Sequence, residues 1–199
     1  MRELARTRDW PASARMVDNM QFRFGVALKP EEHSKFKEFM DKVKKYYVTK
    51  LKHFDVDKMV ALTLVFEGSK ARTASQQKMV YSLAKKFNGL KGGAENGIRG
   101  YFLTFMIAYI RDFVLDHYYM GESFETAVPW DKLQDLCSNV HHKIITSCKE
   151  KGVLGKAFAS FRVTQVYETG ATVYIYFGFS YKGLKDAVKV YTEIEHEAR

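Results

Sequence analysis

Residues 173–181 are the part of this sequence most suggestive of a chemical site, because apolar and polar side chains alternate along them. Successive side chains of a β-strand point to opposite faces of the sheet. One face therefore takes Val173, Ile175, Phe177, Phe179 and Tyr181, and the other takes Tyr174, Tyr176, Gly178 and Ser180. The apolar set predicts a core face. The phenols and small residues fit either the wall of a wet cavity or an ordinary solvent-facing surface, and the pattern leaves both open.

Arg111 is a candidate for binding an anionic group. It follows the ten-residue apolar run from Tyr101 to Ile110 and precedes Asp112. A guanidinium at the edge of buried structure can hold a phosphate through two hydrogen bonds. An ion pair with Asp112 is the commoner arrangement, and the local residues alone favour it. Nothing near Arg15 in the sequence distinguishes it from an ordinary surface charge.

Other patterns associated with catalysis are weak. The five glycines of residues 89–100 do not form GxxxxGK[ST] and follow no predicted strand, so we expect a flexible connection there. His141 and His142 are adjacent on a predicted helix and have no acid or cysteine at ligand spacing, so no metal site is expected. The sequence contains no HExxH motif and no evident Ser-His-Asp set.

The composition favours one filled domain with acidic partners. Hydrophobic residues make up 46% of the 199 residues, which is enough for a core. The net charge of +9 favours phosphate-bearing molecules, anionic membrane surfaces or nucleic acid. The basic residues occur at the spacing of solvated helix faces, however, which accounts for most of the charge. The two cysteines, Cys137 and Cys148, lack a ligand set and indicate a reducing compartment.

The predicted elements give an α+β fold, an antiparallel sheet covered by long helices. Strands are predicted at 59–66, 159–166 and 171–181, and the last two form a hairpin around Glu168-Thr169-Gly170. Helices are predicted from Pro30 to about residue 54, from 71 to 87, from an N-cap at Asp131 to Gly152, and from near Leu184 onwards. No repeat or linker divides the chain.

Short motifs along nearly the whole chain resemble those of one family of flavoenzymes. They include Pro11-Ala-Ser-Ala-Arg-Met, Thr63-Leu-Val-Phe-Glu-Gly, Glu95-Asn-Gly-Ile-Arg-Gly-Tyr, Ala108-Tyr-Ile-Arg-Asp, Gly121-Glu-Ser-Phe-Glu-Thr, Pro129-Trp-Asp and Arg162-Val-Thr-Gln. In this order they are similar to the substrate-side (cap) domain of the alkylglycerone-phosphate synthases. Gly121-Glu-Ser and Pro129-Trp alone would fit the wider class of FAD-linked oxidases.

The resemblance implies an exchange reaction in which FAD is used without net redox change. The acyl group of 1-acyl-glycerone 3-phosphate is replaced by a long-chain fatty alcohol, which forms the ether bond of ether lipids. The family's acid/base tyrosine falls on Tyr174, its substrate-phosphate arginine on Arg111, and an arginine needed for activity on Arg15. For Arg111, the resemblance replaces the ion-pair interpretation with phosphate binding.

The resemblance also implies a parent protein longer than this chain. The domain that binds most of the FAD is expected before Met1, and a histidine cluster is expected after the last helix. Residues 1–199 are then a single cap domain truncated at both ends, with no FAD-binding residue assigned and no activity alone. The implied parent is a peroxisomal homodimer, open to peripheral contact with a membrane and without a nucleic-acid partner.

Two alternatives remain open. The chain could be the cap domain of another FAD-linked oxidase, such as a 2-hydroxy-acid dehydrogenase. It could also be a non-catalytic basic module that binds nucleic acid or anionic lipid through the lysines of residues 35–52. Exposed aromatic residues beside those lysines would favour the module, but the periodicity predicts them on an apolar, buried face.

The role implied for Arg111 can be tested by substitution in the longer parent. Arg111→Ala is expected to weaken glycerone-phosphate binding by about 1.5–3 kcal/mol, because a charge-assisted contact is lost. Calorimetric titration of the substrate measures this change. Unchanged affinity together with a lower free energy of unfolding would make Arg111 a structural ion-pair residue instead.

Overall fold

The computed structural model of the chain combines helices with the strands of one sheet, and it describes residues 1–28 and 35–199, without the side chains of 35–38, 96, 99–104 and 107. The helices of this part are α1 (Arg2–Arg6), α2 (Asn19–Ala27), α3 (Lys35–Tyr46), α4 (Lys70–Lys86), α5 (Ala94–Asp116), α6 (Leu133–Glu150) and α7 (Ala187–Ala198). A π-helical turn, Tyr47–Leu51, directly follows α3. The strands are β1 (Ser13–Val17), β2 (Ala61–Val65), β3 (Tyr119–Pro129), β4 (Leu154–Val166) and β5 (Gly170–Ser180).

The chain forms two compact units, which we call the sheet unit (Met1–Met16 with Leu62–Arg199) and the insert unit (Val17–Ala61). The strand order of the sheet is β2-β1-β4-β5-β3, and β5 pairs antiparallel with both β4 and β3. The predicted α+β class and the predicted pairing of the last two strands are thus confirmed. That residues 1–199 are a single domain stays a prediction.

The apolar face of β5 lies at the centre of the main core. Val173, Ile175, Phe177 and Phe179 are each no more than 1% exposed. Helices α6 and α7 cover this face through fully buried residues such as Ile144 and Ile194. Burying each such side chain contributes about 1.5–3 kcal/mol relative to leaving it exposed. We call this side of the sheet the helix-covered face.

A polar network joins the two covering helices. Ser147 of α6 donates a hydrogen bond to the Glu197 carboxylate of α7 at 2.5 Å. The Lys151 ammonium lies 3.1 Å from the same carboxylate and 2.8 Å from Glu193, and Lys143 Nζ lies 3.1 Å from Glu197. The hydrogen bonds from Ser147, Lys151 and Lys143 lower the pKa of Glu197 from its ordinary value of 4.5 to about 2. The carboxylate is therefore an ionised link between α6 and α7 over most of the pH range.

The helix boundaries differ from the sequence prediction in three places. The Asp131 N-cap prediction is wrong, since α6 begins at Leu133 with Lys132 at the N-cap position. The last helix begins at Ala187 rather than near Leu184, because the Asp186 side chain accepts from the Lys189 N–H and caps it there. The glycine-rich connection ends earlier than expected, and α5 already begins at Ala94. The predicted helix start at Pro30 lies outside the described residues.

Within the insert unit, α2 and the residues before β2 are held by side-chain hydrogen bonds. The Asp18 carboxylate caps α2 by accepting from the Gln21 N–H, and the Asn19 amide donates to the carbonyls of Val56 and Met59. The apolar stripe of the α3 segment was expected to be buried, but most of its described members are exposed, for example Phe39 by 61%, Tyr47 by 44% and Leu51 by 60%, while Phe54 is half-buried. No helix in the described residues is both long and apolar enough to traverse a bilayer.

The link between α6 and α7 predicts a specific pH dependence of stability. A carboxylate whose pKa is lowered on folding stabilises the protein above its ordinary pKa, and this stabilisation is lost as the pH falls towards the folded value. Glu197→Gln is therefore expected to lower the free energy of unfolding at pH 7 and to reduce its decline between pH 5 and about 2. Urea unfolding at several pH values measures both, with the exposed Glu67→Gln as control. Parallel pH curves for wild type and Glu197→Gln would contradict this account.

Candidate functional site

The side of β5 opposite the core carries the strongest cluster of polar groups, which we call the polar face. It consists of Ser123, Arg162, Tyr174 and Tyr176. The phenols lie on β5, and the strand register places Arg162 of β4 opposite Tyr174 and Ser123 of β3 opposite Tyr176. All four side chains are half-buried. The face is therefore half-buried and hydrogen-bonded, and whether it forms a cavity wall stays a prediction.

The Arg162 guanidinium lies against both phenol rings. Its carbon Cζ is 5.5 Å from the ring centroid of Tyr174 and 5.2 Å from that of Tyr176. Its Nη2 donates a hydrogen bond to the Tyr176 hydroxyl at 2.5 Å. Its Nε is buried and has no hydrogen-bond partner among the described residues. The guanidinium therefore has one buried N–H donor without an acceptor in the described part of the chain.

The two phenols of the polar face differ in their surroundings. Their ring centroids are 4.9 Å apart, and Ser123 Oγ donates to the Tyr174 hydroxyl at 3.2 Å. Burial raises the pKa of Tyr176, and the positive charges of Arg162 and Arg15 oppose that rise. Tyr176 therefore stays a neutral partner of Arg162 at physiological pH. Tyr174, which has the serine hydroxyl beside it, is the phenol better placed to exchange a proton with a bound molecule.

Arg15 reaches the same region from β1, the strand next to β4. Its neighbour Ala14 is 4% exposed and packs in a second core cluster with Leu4, Ala5, Val80 and Val166. Because side chains alternate along a strand, burying Ala14 turns Arg15 to the other side of the sheet. Its charge acts there on Tyr176. The structure thus brings two of the predicted site residues, Arg15 and Tyr174, to one face.

Arg111 lies elsewhere. Its guanidinium on α5 is 3.5 Å from the Asp112 carboxylate, and both side chains are more than half exposed. It also lines a surface cavity of about 260 Å³ together with Leu115, Met120, Gly121, Glu122 and Tyr191. The Tyr191 ring stacks on Phe177 of the helix-covered face. The structure therefore places Arg111 on the side of β3 away from Tyr174, and its phosphate-binding role stays a prediction.

Arg162 and Ser123 contact the two phenols, and the sequence alone assigned them no role. Both were visible in the family-like motifs Arg162-Val-Thr-Gln and Gly121-Glu-Ser. What the sequence lacked was the strand register, which alone shows that Arg162 lies opposite Tyr174. A strand prediction for 119–129 paired with β5 would have revealed Ser123 in the same way.

The polar face carries groups that can exchange protons and bind an acceptor-rich molecule. Among the described residues, no group of three or more His, Cys, Asp or Glu side chains could hold a metal ion. The sequence contains neither GxGxxG nor GxxxxGK[ST], the motifs that cradle a pyrophosphate. A buried, unpartnered Arg162 Nε and two phenols fit the nitrogen- and oxygen-rich edge of a flavin ring.

Residues 1–199 match the family of FAD linked oxidases, C-terminal domain, and the chain belongs to that family. It is 47% identical to the alkyldihydroxyacetonephosphate synthase of Caenorhabditis elegans over 198 residues, which cover 100% of this chain and 33% of that protein. It is 25% identical over 176 residues to the enzyme of the same name from Dictyostelium discoideum, covering 88% of this chain and 28% of that protein.

The fold agrees with a solved structure of an alkyldihydroxyacetonephosphate synthase. That structure matches 99% of this chain with a TM-score of 0.77 at 24% identity, and this chain covers 35% of it. The chain thus spans about a third of the length of the relatives it matches.

Proposed function

We propose that this chain forms the substrate side of the active site in an enzyme that exchanges the acyl group of acyl-glycerone phosphate for a long-chain alcohol. The observation that carries the proposal is the polar face, on which Tyr174 and Arg15 come together in a chain 47% identical throughout to a synthase of this name. Peroxisomal location and a role in ether-lipid synthesis are parts of the same proposal.

Tyr174 is the residue that handles the proton in this proposal. Its hydroxyl lies on the polar face and accepts a hydrogen bond from Ser123 Oγ. A phenol exchanges protons well near neutral pH only when positive charge or hydrogen bonds favour its anion. Arg162 supplies such a charge on one side of the ring. Arg15 adds positive charge on the same face, which attracts an anionic substrate.

FAD is proposed as the cofactor of the longer protein, where it would activate the substrate carbon for the exchange of its oxygen substituent. Arg162 and Tyr174 would contact the edge of its ring, because they present a free N–H and a hydroxyl on the polar face. No residue of the chain is assigned to its phosphates. The chain's own contribution is therefore to bind and orient the substrate, keep water from its reacting side and move one proton.

Replacement of the Tyr174 hydroxyl tests the proposal. In the longer FAD-loaded protein, Tyr174→Phe is expected to lower the rate of alkyl-for-acyl exchange by about a hundredfold or more, the usual effect of losing a general acid/base. Folding and FAD content should be unchanged, since the ring keeps its packing. Loss of proton exchange at C1 of the substrate should accompany the loss of turnover, and both are measured by isotope release.

Tyr167→Phe is a matched control, because its ring is exposed and lies outside the polar face. Near-normal exchange in Tyr174→Phe would remove this residue from the mechanism. Turnover of a 2-hydroxy acid instead of acyl-glycerone phosphate by the wild-type protein would favour the other class of FAD-linked oxidase.

We also propose that the insert unit contacts an anionic membrane surface. The exposed side chains of Phe39, Tyr46 and Leu51 lie in a segment that also exposes Lys44, Lys45 and Lys50. An apolar stripe bordered by lysines is the pattern of helices that lie in the membrane interface. Each lysine near an anionic surface adds about 1 kcal/mol of attraction. The sequence pattern disfavoured lipid binding by this segment, because it predicted the aromatic residues of the segment to lie on a buried face.

Vesicle binding tests this contact. The wild-type protein is expected to sediment with vesicles that contain phosphatidylserine, and Phe39→Ser combined with Leu51→Ser should weaken this binding about tenfold or more, because the inserted apolar area is lost. Phe87→Ser, at a residue 68% exposed in the sheet unit, is the control. Equal binding by all three proteins, or binding that does not depend on phosphatidylserine, would contradict the proposal.

A further inference from the structure

Arg162 lies against the predicted acid/base tyrosine, its guanidinium carbon 5.5 Å from the Tyr174 ring centroid. Resting on the function proposed above, we propose that Arg162 is a positioning residue whose guanidinium orients the phenols of Tyr174 and Tyr176 and keeps a positive charge beside the proton-exchanging hydroxyl. The inference depends on the strand register and on the contacts of one side chain.

The pairing of β4 with β5 fixes the backbone position of Arg162. Its Cα lies opposite that of Tyr174 in the antiparallel β4–β5 ladder, and the ladder shifts register only between Val163 and Gln165 and between Leu154 and Phe158. Ser160, Phe161 and Arg162 are therefore regularly paired with β5. Cross-strand partners on one face have Cβ atoms about 4.5–5.5 Å apart, so the side chains must touch.

The guanidinium is anchored at its far end. The hydrogen bond from Nη2 to the Tyr176 hydroxyl holds it over that ring, and the same plane lies 5.5 Å from the Tyr174 centroid. The 4.9 Å separation of the two rings then ties the orientation of Tyr174 to that of Tyr176. Tyr176 thus serves as the support and Tyr174 as the working phenol.

The charge has a chemical consequence for the proton step. In that step, the anionic oxygen of Tyr174 takes a proton from C1 of the substrate, and the electron pair of the broken C–H bond moves into the neighbouring carbonyl. The phenol is neutral afterwards and returns the proton later. The Arg162 guanidinium, half-buried and 5.5 Å from the ring centroid, lies where it attracts the negative charge that this step requires on the phenol.

No other described cation is as well placed. Arg111 lies beside Tyr191 and Glu122, on the other side of β3. Arg15 acts on Tyr176 less strongly than Arg162 does.

The test compares Arg162→Gln, Arg162→Lys and Tyr176→Phe in the longer FAD-loaded protein, with Arg8→Gln as the control. Arg8 is an exposed arginine of the sheet unit that pairs with Glu168. Arg162→Gln is expected to lower kcat for the exchange about tenfold or more with KM changed by less than about threefold, and to move the rising part of the pH–rate profile to higher pH. Arg162→Lys should recover part of kcat and of the pH profile, because it restores the charge without the planar fork.

Tyr176→Phe removes only the hydroxyl that anchors the Arg162 guanidinium. It should lower kcat by a smaller factor than Arg162→Gln does, without shifting the pH profile. Thermal unfolding of each variant identifies any loss caused by misfolding. An activity-independent measurement is the ¹³Cζ NMR signal of Tyr176, identified by its absence in Tyr176→Phe. Its ionisation should move to higher pH in Arg162→Gln, because the opposing positive charge is gone.

Each outcome decides between the two proposals. Wild-type exchange that persists unchanged in Arg162→Gln overturns the role of Arg162 and leaves the proposed function intact. Equal loss of kcat and of thermal stability in Arg162→Gln and Arg162→Lys overturns it as well, because the residue is then structural. A correctly folded, FAD-loaded wild-type protein without exchange activity contradicts the proposed function and with it the inference that rests on it.

Discussion

The polar face exists because the opposite face of β5 is committed to the core. Val173, Ile175, Phe177 and Phe179 are buried under α6 and α7, and alternation then leaves Tyr174 and Tyr176 on the other side. A slip of one residue in register would exchange the two sets and place phenols in the core. Burial of the apolar face of this strand therefore sets the side of the sheet on which the phenols lie, and the contacts of Arg162 and Ser123 then orient their rings.

The two neighbouring strands convert this orientation into a site. β4 delivers Arg162 and β3 delivers Ser123, each by register with β5. Every group on the face is thereby fixed by backbone hydrogen bonds of rigid strands, which position side chains more precisely than loops do. The helix-covered face meanwhile carries its own polar link between Ser147, Lys151 and Glu197, which holds α6 and α7 against the sheet. The stability of one face therefore supports the chemistry of the other.

The sequence predicted those parts of the fold whose patterns are local. Alternation in 171–181 and the turn at Glu168-Thr169-Gly170 were sufficient for the β4–β5 hairpin. The motifs pointed to Tyr174 and Arg15, whose roles stay predictions. Strand β3 was not predicted from the sequence, because its apolar positions are interrupted by Glu122 and Thr126. The position of Arg162 beside the phenols was not predicted, because a charged residue in a strand ordinarily faces solvent. Only the pairing of β4 with β5 shows that Arg162 lies opposite Tyr174. The exposure of the apolar stripe in the α3 segment was not predicted, because periodicity identifies an apolar face but not what covers it.

We propose that the polar face, and not the helix-covered face, meets the reacting atoms. A crystal structure of the longer protein with FAD and acyl-glycerone phosphate tests it most directly, through the distance from the Tyr174 hydroxyl oxygen to C1 of the substrate. The account predicts that this carbon lies about 3–3.5 Å from that oxygen, as expected for a reactive geometry, with Arg162 still bonded to Tyr176. A substrate bound beside Arg111 and Tyr191, with Tyr174 far from its carbon atoms, would contradict it.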